Sequence, residues 1–127
     1  YIFGLPGDDK ESIKETFELS KRLCTLGWNT YAAMALPGSK LYKTALEKNY
    51  KLPESYEGYS FHSYESQPLR NDNLSAAEIL ELRDQAFIDY HNYGPFLEKI
   101  ENKFGQKAVN NINKISKIKL KRKILGH

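Results

Sequence analysis

The chain has 127 residues, 40% of them hydrophobic and 28% charged, which suits one ordinary domain with a modest core and argues against a disordered segment. No apolar run approaches the ~20 residues of a membrane-spanning helix, no secretory signal pattern occurs, and a single cysteine excludes an internal disulfide framework, so a cytoplasmic protein without a membrane partner is expected. The net charge of +3 conceals an asymmetry: residues 1–105 hold 12 Lys or Arg against all 16 Asp and Glu, whereas residues 106–127 hold seven basic residues and no acid.

The first predicted element is a buried strand over Tyr1 to Leu5, partly β-branched or aromatic and ending at Gly4-Leu5-Pro6-Gly7. A helix follows, with Asp8 as its cap and Glu11 three residues on. Ile13, Phe17, Leu23 and Cys24 line one face, and Gly27 is the stop. Asn29 to Leu36, "NTYAAMAL", lacks strict alternation and reads as a second strand covered on both faces. Ser39 caps a second helix through about Lys48, with Leu41, Tyr42, Ala45 and Leu46 turned inward. Strand, helix, strand, helix implies parallel strands with crossover connections. Two such strands leave open edges and half-covered helices, so residues 1–50 are expected to be part of a larger α/β unit.

Residues 51–74 change character: Tyr56, Tyr59, Phe61 and Tyr64 lie among Ser, Glu, Gly and Pro without a sustained period, as in a connection that packs over something else. Residues 75–127 form a helical region. Ser75-Ala76-Ala77-Glu78 is a capping box, and Ile79, Leu82, Ala86, Phe87 and Tyr90 form the stripe behind it. Gly94-Pro95 ends that helix and starts another, which carries Phe96, Leu97, Ile100 and Phe104 to a stop at Gly105. A last helix is expected from about Lys107 to Leu125, with Ala108, Val109, Ile112, Ile115 and Ile118 among lysines.

Catalytic signals are absent. His62, His91 and His127 form no pair at ligand spacing, and Cys24, on an apolar helix face, reads as core filler. Zincin, nucleophile-elbow and Walker motifs do not occur. No catalytic or metal-ligating residue is therefore expected in this chain. Gly4 and Gly7 permit positive φ or close backbone approach at the carboxyl end of a strand, where α/β proteins place their ligands; a tight strand-to-helix turn explains them equally well.

Two stretches carry a resemblance. "IFGLPGDDKESIKETFELSKRL" resembles the fifth strand and following helix of radical S-adenosylmethionine (radical SAM) enzymes, and "YAAMALPGSKLYKTALEKN" is similar to their sixth strand and helix, with Ser39 in place of the common Thr. "SYESQPLRNDNLSAAEILELRDQAFIDYHNYGPFLEKIENKFG" and "IKLKRKILG" resemble the C-terminal extension of the branch that carries a cobalamin-binding domain. The resemblance implies an α/β fold: the last two β/α units of a partial (β/α)6 barrel followed by a helical extension. It implies S-adenosylmethionine and a 4Fe-4S cluster as cofactors, with a 5′-deoxyadenosyl radical generated by reductive cleavage. Cobalamin would be bound by an N-terminal domain. The cluster's Cys-x-x-x-Cys-x-x-Cys loop has no counterpart here and would lie on a preceding part of the same polypeptide, so the chain alone is not expected to be active. Carried over by motif, Ile2 and Gly4 would lie beside the adenine, and Ala35 and Leu36 would line the adenosine pocket. The partners implied are the preceding part of the polypeptide and a small-molecule substrate. Residues 50–64 would cover the substrate side of the barrel mouth.

The alternative is a non-catalytic binding module whose basic C-terminal helix engages nucleic acid or an anionic surface, with steep salt dependence. The tail has few interleaved aromatics and no nucleic-acid-binding fold precedes it, so nucleic acid is not an expected partner.

Overall fold

The computed structural model describes residues 1–127. Its elements run β1 (Ile2–Phe3), α1 (Lys10–Leu23), β2 (Tyr31–Ala32), α2 (Lys40–Glu47), α3 (Ala76–His91), α4 (Gly94–Phe104) and α5 (Gln106–Ile115), with 3-10 turns at Tyr56–Tyr59 and Lys123–Leu125. The chain is thus α/β but mostly helical: five helices and one two-stranded sheet. β1 and β2 are parallel, Ile2 opposite Tyr31 and Phe3 opposite Ala32, with α1 as the connection between them.

Both strands are shorter than the sequence suggests, because ladder bonds form only where a partner is present. Tyr31 donates its N–H to Tyr1 O (3.0 Å) and Ala33 to Phe3 O (2.8 Å), after which β1 turns away at Gly4. Past the point where β1 turns away, the connecting segment meets the end of β2 once, where Leu69 N–H donates to Ala33 O (2.9 Å). The segment around β2 is covered on both faces from Ala32 to Ala35, which are all buried, but not at Tyr31. Phe3 and Ala32 face the core, whereas their neighbours Ile2 (51% exposed) and Tyr31 lie on an open face.

α1 begins at Asp9 rather than Asp8. Asp9 Oδ1 accepts from Ser12 N–H (2.9 Å) and Ser12 Oγ accepts from Asp9 N–H (3.0 Å), a capping box one residue later than expected, with Ser12 instead of Glu11 as the return partner. The helix ends before Gly27, because Cys24 itself takes the left-handed conformation (φ 45°) and donates its N–H to Ser20 O. Leu23 is exposed, not inward, and so is Leu46 on α2. Ser39 caps α2 and Ser75–Glu78 boxes α3, both as the sequence indicates.

One core joins the β/α region to the helical region: Phe3, Ile13, Trp28 and Ala32 pack with Leu74, Ile79, Leu80, Ala86, Tyr90, Phe96, Ile100 and Val109. Trp28 stacks on Tyr90 with ring centroids 4.7 Å apart, and the Tyr90 hydroxyl donates to Thr25 O (2.9 Å), a pairing that buries the ring while satisfying its polar tip. Cys24 packs at the margin of this core. Phe104 is exposed although it follows the α4 stripe.

The last expected helix breaks at Ile115. Ile115 and Ile118 are exposed, so nothing holds the helical face down, and residues 117–122 run as an extended strap back across the molecule. The strap is fixed by Arg122, fully buried, and by backbone pairing of Lys123 N–H with Tyr64 O (2.9 Å).

Candidate functional site

Leu5-Pro6-Gly7-Asp8 and Leu36-Pro37-Gly38-Ser39 are the same turn made twice. In each, the fourth residue donates its N–H to the leucine carbonyl at 3.0 Å, proline sits second, and glycine sits third with positive φ (91° at Gly7, 85° at Gly38). These are the features of a type II turn: proline presets its own φ, and only glycine takes the third position without strain. Because β1 and β2 are parallel, both turns leave the sheet from its carboxyl-end edge, each just before a helix N-terminus.

The first turn is clamped from two sides. Asp8 Oδ2 accepts from Gly4 N–H (2.9 Å) and Leu5 N–H (3.0 Å), and Ser12 Oγ donates to Asp8 Oδ1 (3.2 Å). From the far side, Asn71 Nδ2 donates to Leu5 O and Asp8 O, both at 3.0 Å, while its Oδ1 accepts from Asn73 N–H (2.9 Å) and Leu74 N–H (2.7 Å). Asn71 is buried, so each of its bonds replaces one that water cannot supply. Asn73 Nδ2 adds a second donor to Asp8 O at 3.0 Å. Behind Gly4 (φ 85°) stands Ile79: a Cβ placed there would meet its side chain at 2.7 Å.

The four residues assigned by motif divide two and two. Ile2 and Leu36 are each 51% exposed and offer apolar surface. Gly4 and Ala35 are buried, Gly4 against Ile79 and Ala35 in a small cluster with Ala45 and Leu69. With Gly4 N–H held by Asp8, the free polar backbone at this edge belongs to Ile2: the ladder uses Tyr1 and Phe3, so the N–H and C=O of Ile2 point to the unpaired side. On the open face, Phe61 packs on Tyr31 with ring centroids 4.7 Å apart, which brings the Tyr-rich segment next to β1 and β2. At the end of α2, Asp72 receives Lys48 Nζ (3.0 Å to each oxygen) and the Tyr50 hydroxyl (2.5 Å), and these hydrogen bonds hold its carboxyl below the usual range.

A second polar constellation lies away from this edge. Asp84 on α3 accepts from Arg122 Nε (2.8 Å) and Nη2 (2.9 Å) and from Arg83 Nη1 (3.0 Å). Arg122 Nη1 also donates to Ser63 O (2.9 Å), and Arg83 to Thr30 O (2.8 Å) and Asn29 Oδ1 (3.2 Å). Both arginines are buried. Of the basic tail, Arg122 is therefore internal and Lys123 is paired with Glu65 (3.0 Å), which leaves Lys117, Lys119 and Lys121 on the strap without a carboxylate partner.

Sequence reasoning does not single out Asn71 or Arg83, and it counts Arg122 with Lys114, Lys117, Lys119, Lys121 and Lys123 as the binding face of the tail, whereas Arg122 is buried. A signal existed for the first: Asn71-Asp72-Asn73 is a run of turn formers before a capping box, a place where side-chain amides bond backbone. For the arginines none existed, because a lone basic residue within a helix such as Arg83, or one in a lysine-rich tail such as Arg122, looks solvated.

No three His, Cys, Asp or Glu side chains converge as metal ligands, and Cys24 stands alone, so these residues do not fit an iron–sulfur cluster. No helix is long and apolar enough to cross a membrane. Comparison with protein-family models, with curated proteins and with solved structures finds no match. The radical SAM resemblance thus rests on the motifs themselves.

Proposed function

We propose that this chain is the C-terminal β/α portion and helical extension of a radical SAM enzyme, and that it forms one wall of an adenosine pocket. The observation that carries the reading is the repeated Leu-Pro-Gly turn at the carboxyl ends of two neighbouring parallel strands, the edge at which α/β proteins bind ligands. The unpaired side of β1 supports it: an edge with free Ile2 backbone groups and an open apolar face is where a preceding barrel strand would add.

When bound to the parent polypeptide, the cluster and S-adenosylmethionine supply the radical chemistry; the part played by this chain is shape. Ile2 and Leu36 give apolar contact, the two turns fix where the strands stop, and Asn71 and Asp8 hold the first turn rigid. Phe61 on Tyr31 begins a cover over the same face. Cobalamin would be held by an N-terminal domain of the parent, and residues 50–64 would cover the substrate side of the barrel mouth.

The test is made on the parent polypeptide, purified without oxygen. Ile2→Glu and Leu36→Glu are each expected to weaken S-adenosylmethionine binding about tenfold or more, by placing a carboxylate on an apolar wall. Unchanged affinity in both variants, or a parent with no Cys-x-x-x-Cys-x-x-Cys loop ahead of Tyr1, would overturn the reading.

A further inference from the structure

A cleft of about 210 Å³ lies between α3 and the C-terminal strap. Its walls are apolar: Phe87 and Ile88 from α3, Ile115 from the end of α5, and Ile118 and Leu120 from the strap. At its base are Arg83 and Asp84, and the imidazole of His62 completes the lining. It is smaller than the ~300–1,000 Å³ of drug-sized sites and suits a single ring or a short branched chain.

The base is electrostatically unfinished. Arg83, Asp84 and Arg122 form a connected group with two positive charges and one negative, and both arginines are buried. A guanidinium has five N–H donors. Arg83 uses three, to Thr30 O, Asp84 Oδ1 and Asn29 Oδ1, which leaves one N–H on Nη1 and one on Nη2. A charge held away from water and left with spare donors attracts an anion more strongly than a surface charge does. The strap adds to the field, since Lys117, Lys119 and Lys121 have no carboxylate partner of their own.

We propose that this cleft binds a small organic acid, an aromatic or branched aliphatic monocarboxylate. Its apolar body lies against Phe87 and Ile118, and its carboxylate accepts from the two spare N–H groups of Arg83. A single negative charge balances the group, and the two acceptor oxygens of a carboxylate match two donors on one planar guanidinium. A neutral molecule of the same shape gains only the apolar part. The site stands apart from the turns at the sheet edge and holds whether or not the chain belongs to a radical SAM enzyme.

Benzoate and its neutral isostere benzamide are suitable probes, each titrated into the 127-residue chain and followed by NMR on the Arg83 side-chain N–H and the Ile118 methyl groups. Saturable shifts with benzoate are expected, with benzamide about tenfold weaker. Ile118 is 64% exposed, so Ile118→Trp fills the mouth without touching the core; it should remove benzoate binding and leave the denaturation midpoint unchanged. Arg83→Met should bring benzoate down to the level of benzamide; if that variant does not fold, the Ile118→Trp comparison decides. Absence of saturable shifts, equal affinity for the two probes, or benzoate binding undiminished in Ile118→Trp would overturn the proposal.

Discussion

Arg122, five residues before the end of the chain, places its guanidinium on the carboxylate of Asp84 in the middle of α3, Nε to Oδ2 at 2.8 Å and Nη2 to Oδ1 at 2.9 Å. This two-point contact fastens the strap, and Asp84 is also shared with Arg83. Asp84→Asn would leave two buried guanidinium groups facing each other with no counter-charge. Loss of one partner from a buried ion pair costs about 3–5 kcal/mol, and urea unfolding should show a loss of that order. Arg122→Met should cost less, because Arg83 still balances Asp84 while a similar volume is kept. Equal and small effects from both variants would mean that the strap is not held by this contact.

Asn71 joins the 70–74 loop to the first Leu-Pro-Gly turn through two donated and two accepted hydrogen bonds. Asn71→Leu has about the same volume and removes all four, leaving the N–H groups of Asn73 and the buried Leu74 without an acceptor, so a loss of about 2 kcal/mol or more is expected. Amide hydrogen exchange at Gly4 and Leu5 should accelerate more than at Ser39, the counterpart in the second turn. Uniform acceleration at both turns would show that Asn71 supports the whole fold and not this turn.

Gly4 and Gly38 separate backbone strain from crowding. Both have φ of 85°, but a Cβ at Gly4 meets Ile79 at 2.7 Å whereas nothing lies within 4 Å of one at Gly38. Gly38→Ala should cost about 1–2 kcal/mol from the left-handed backbone alone. Gly4→Ala should cost about 2–4 kcal/mol, since overpacking adds to the strain. Combining it with Ile79→Val should recover part of the difference in thermal midpoint, and strict additivity of the two changes would contradict the crowding.

Glu78 carries a pH dependence. Its carboxyl is held down at about 2, first by the Ser75 N–H, then by Lys10 and the Ser75 hydroxyl. A carboxyl depressed in the folded state stabilises it fully above its unfolded pKa, near 4.5, and that stabilisation fades as pH falls toward 2. Glu78→Gln should therefore flatten the fall in stability between those pH values, with its cost fully present at pH 7, where the charge on the Ser75 and Lys10 contacts is lost, and vanishing toward pH 2. The carboxyl is at the surface, so added salt should shrink the difference. An acid limb as steep in Glu78→Gln as in the parent chain would assign it to other groups.

The unpaired side of β1 predicts self-association of the 127-residue chain. Ile2 N–H and C=O point outward next to an exposed isoleucine side chain, the features of an edge that recruits another strand. Ile2→Lys should lower the apparent mass at high concentration in sedimentation, because charge on an edge opposes pairing. A monomer at all concentrations would show the edge to be inert.

The order of elements through α4, the two Leu-Pro-Gly turns and the caps at Ser39 and Ser75 can all be read from the residues alone. These are local: a proline fixes its own φ, a glycine alone accepts positive φ, and a serine hydroxyl reaches an N–H three residues on. The sequence also marked Ile2 and Leu36 as pocket residues on a likeness of motif, and the fold leaves both exposed, while Gly4 and Ala35 lie inside. Where α1 starts depends on contacts made in the folded chain. Asp8 is drawn to the Gly4 and Leu5 amides, and the cap passes to Asp9. The end of α5 at Ile115 depends on such contacts too, because the strap gains a buried ion pair at Asp84, 38 residues away, that no continued helix reaches from within the tail's own pattern. Asn71 under the first turn, 66 residues from Leu5, belongs to the same class. Contacts between residues so far apart leave no periodicity in the chain, and whether a charged side chain is solvated or buried depends on what folds over it.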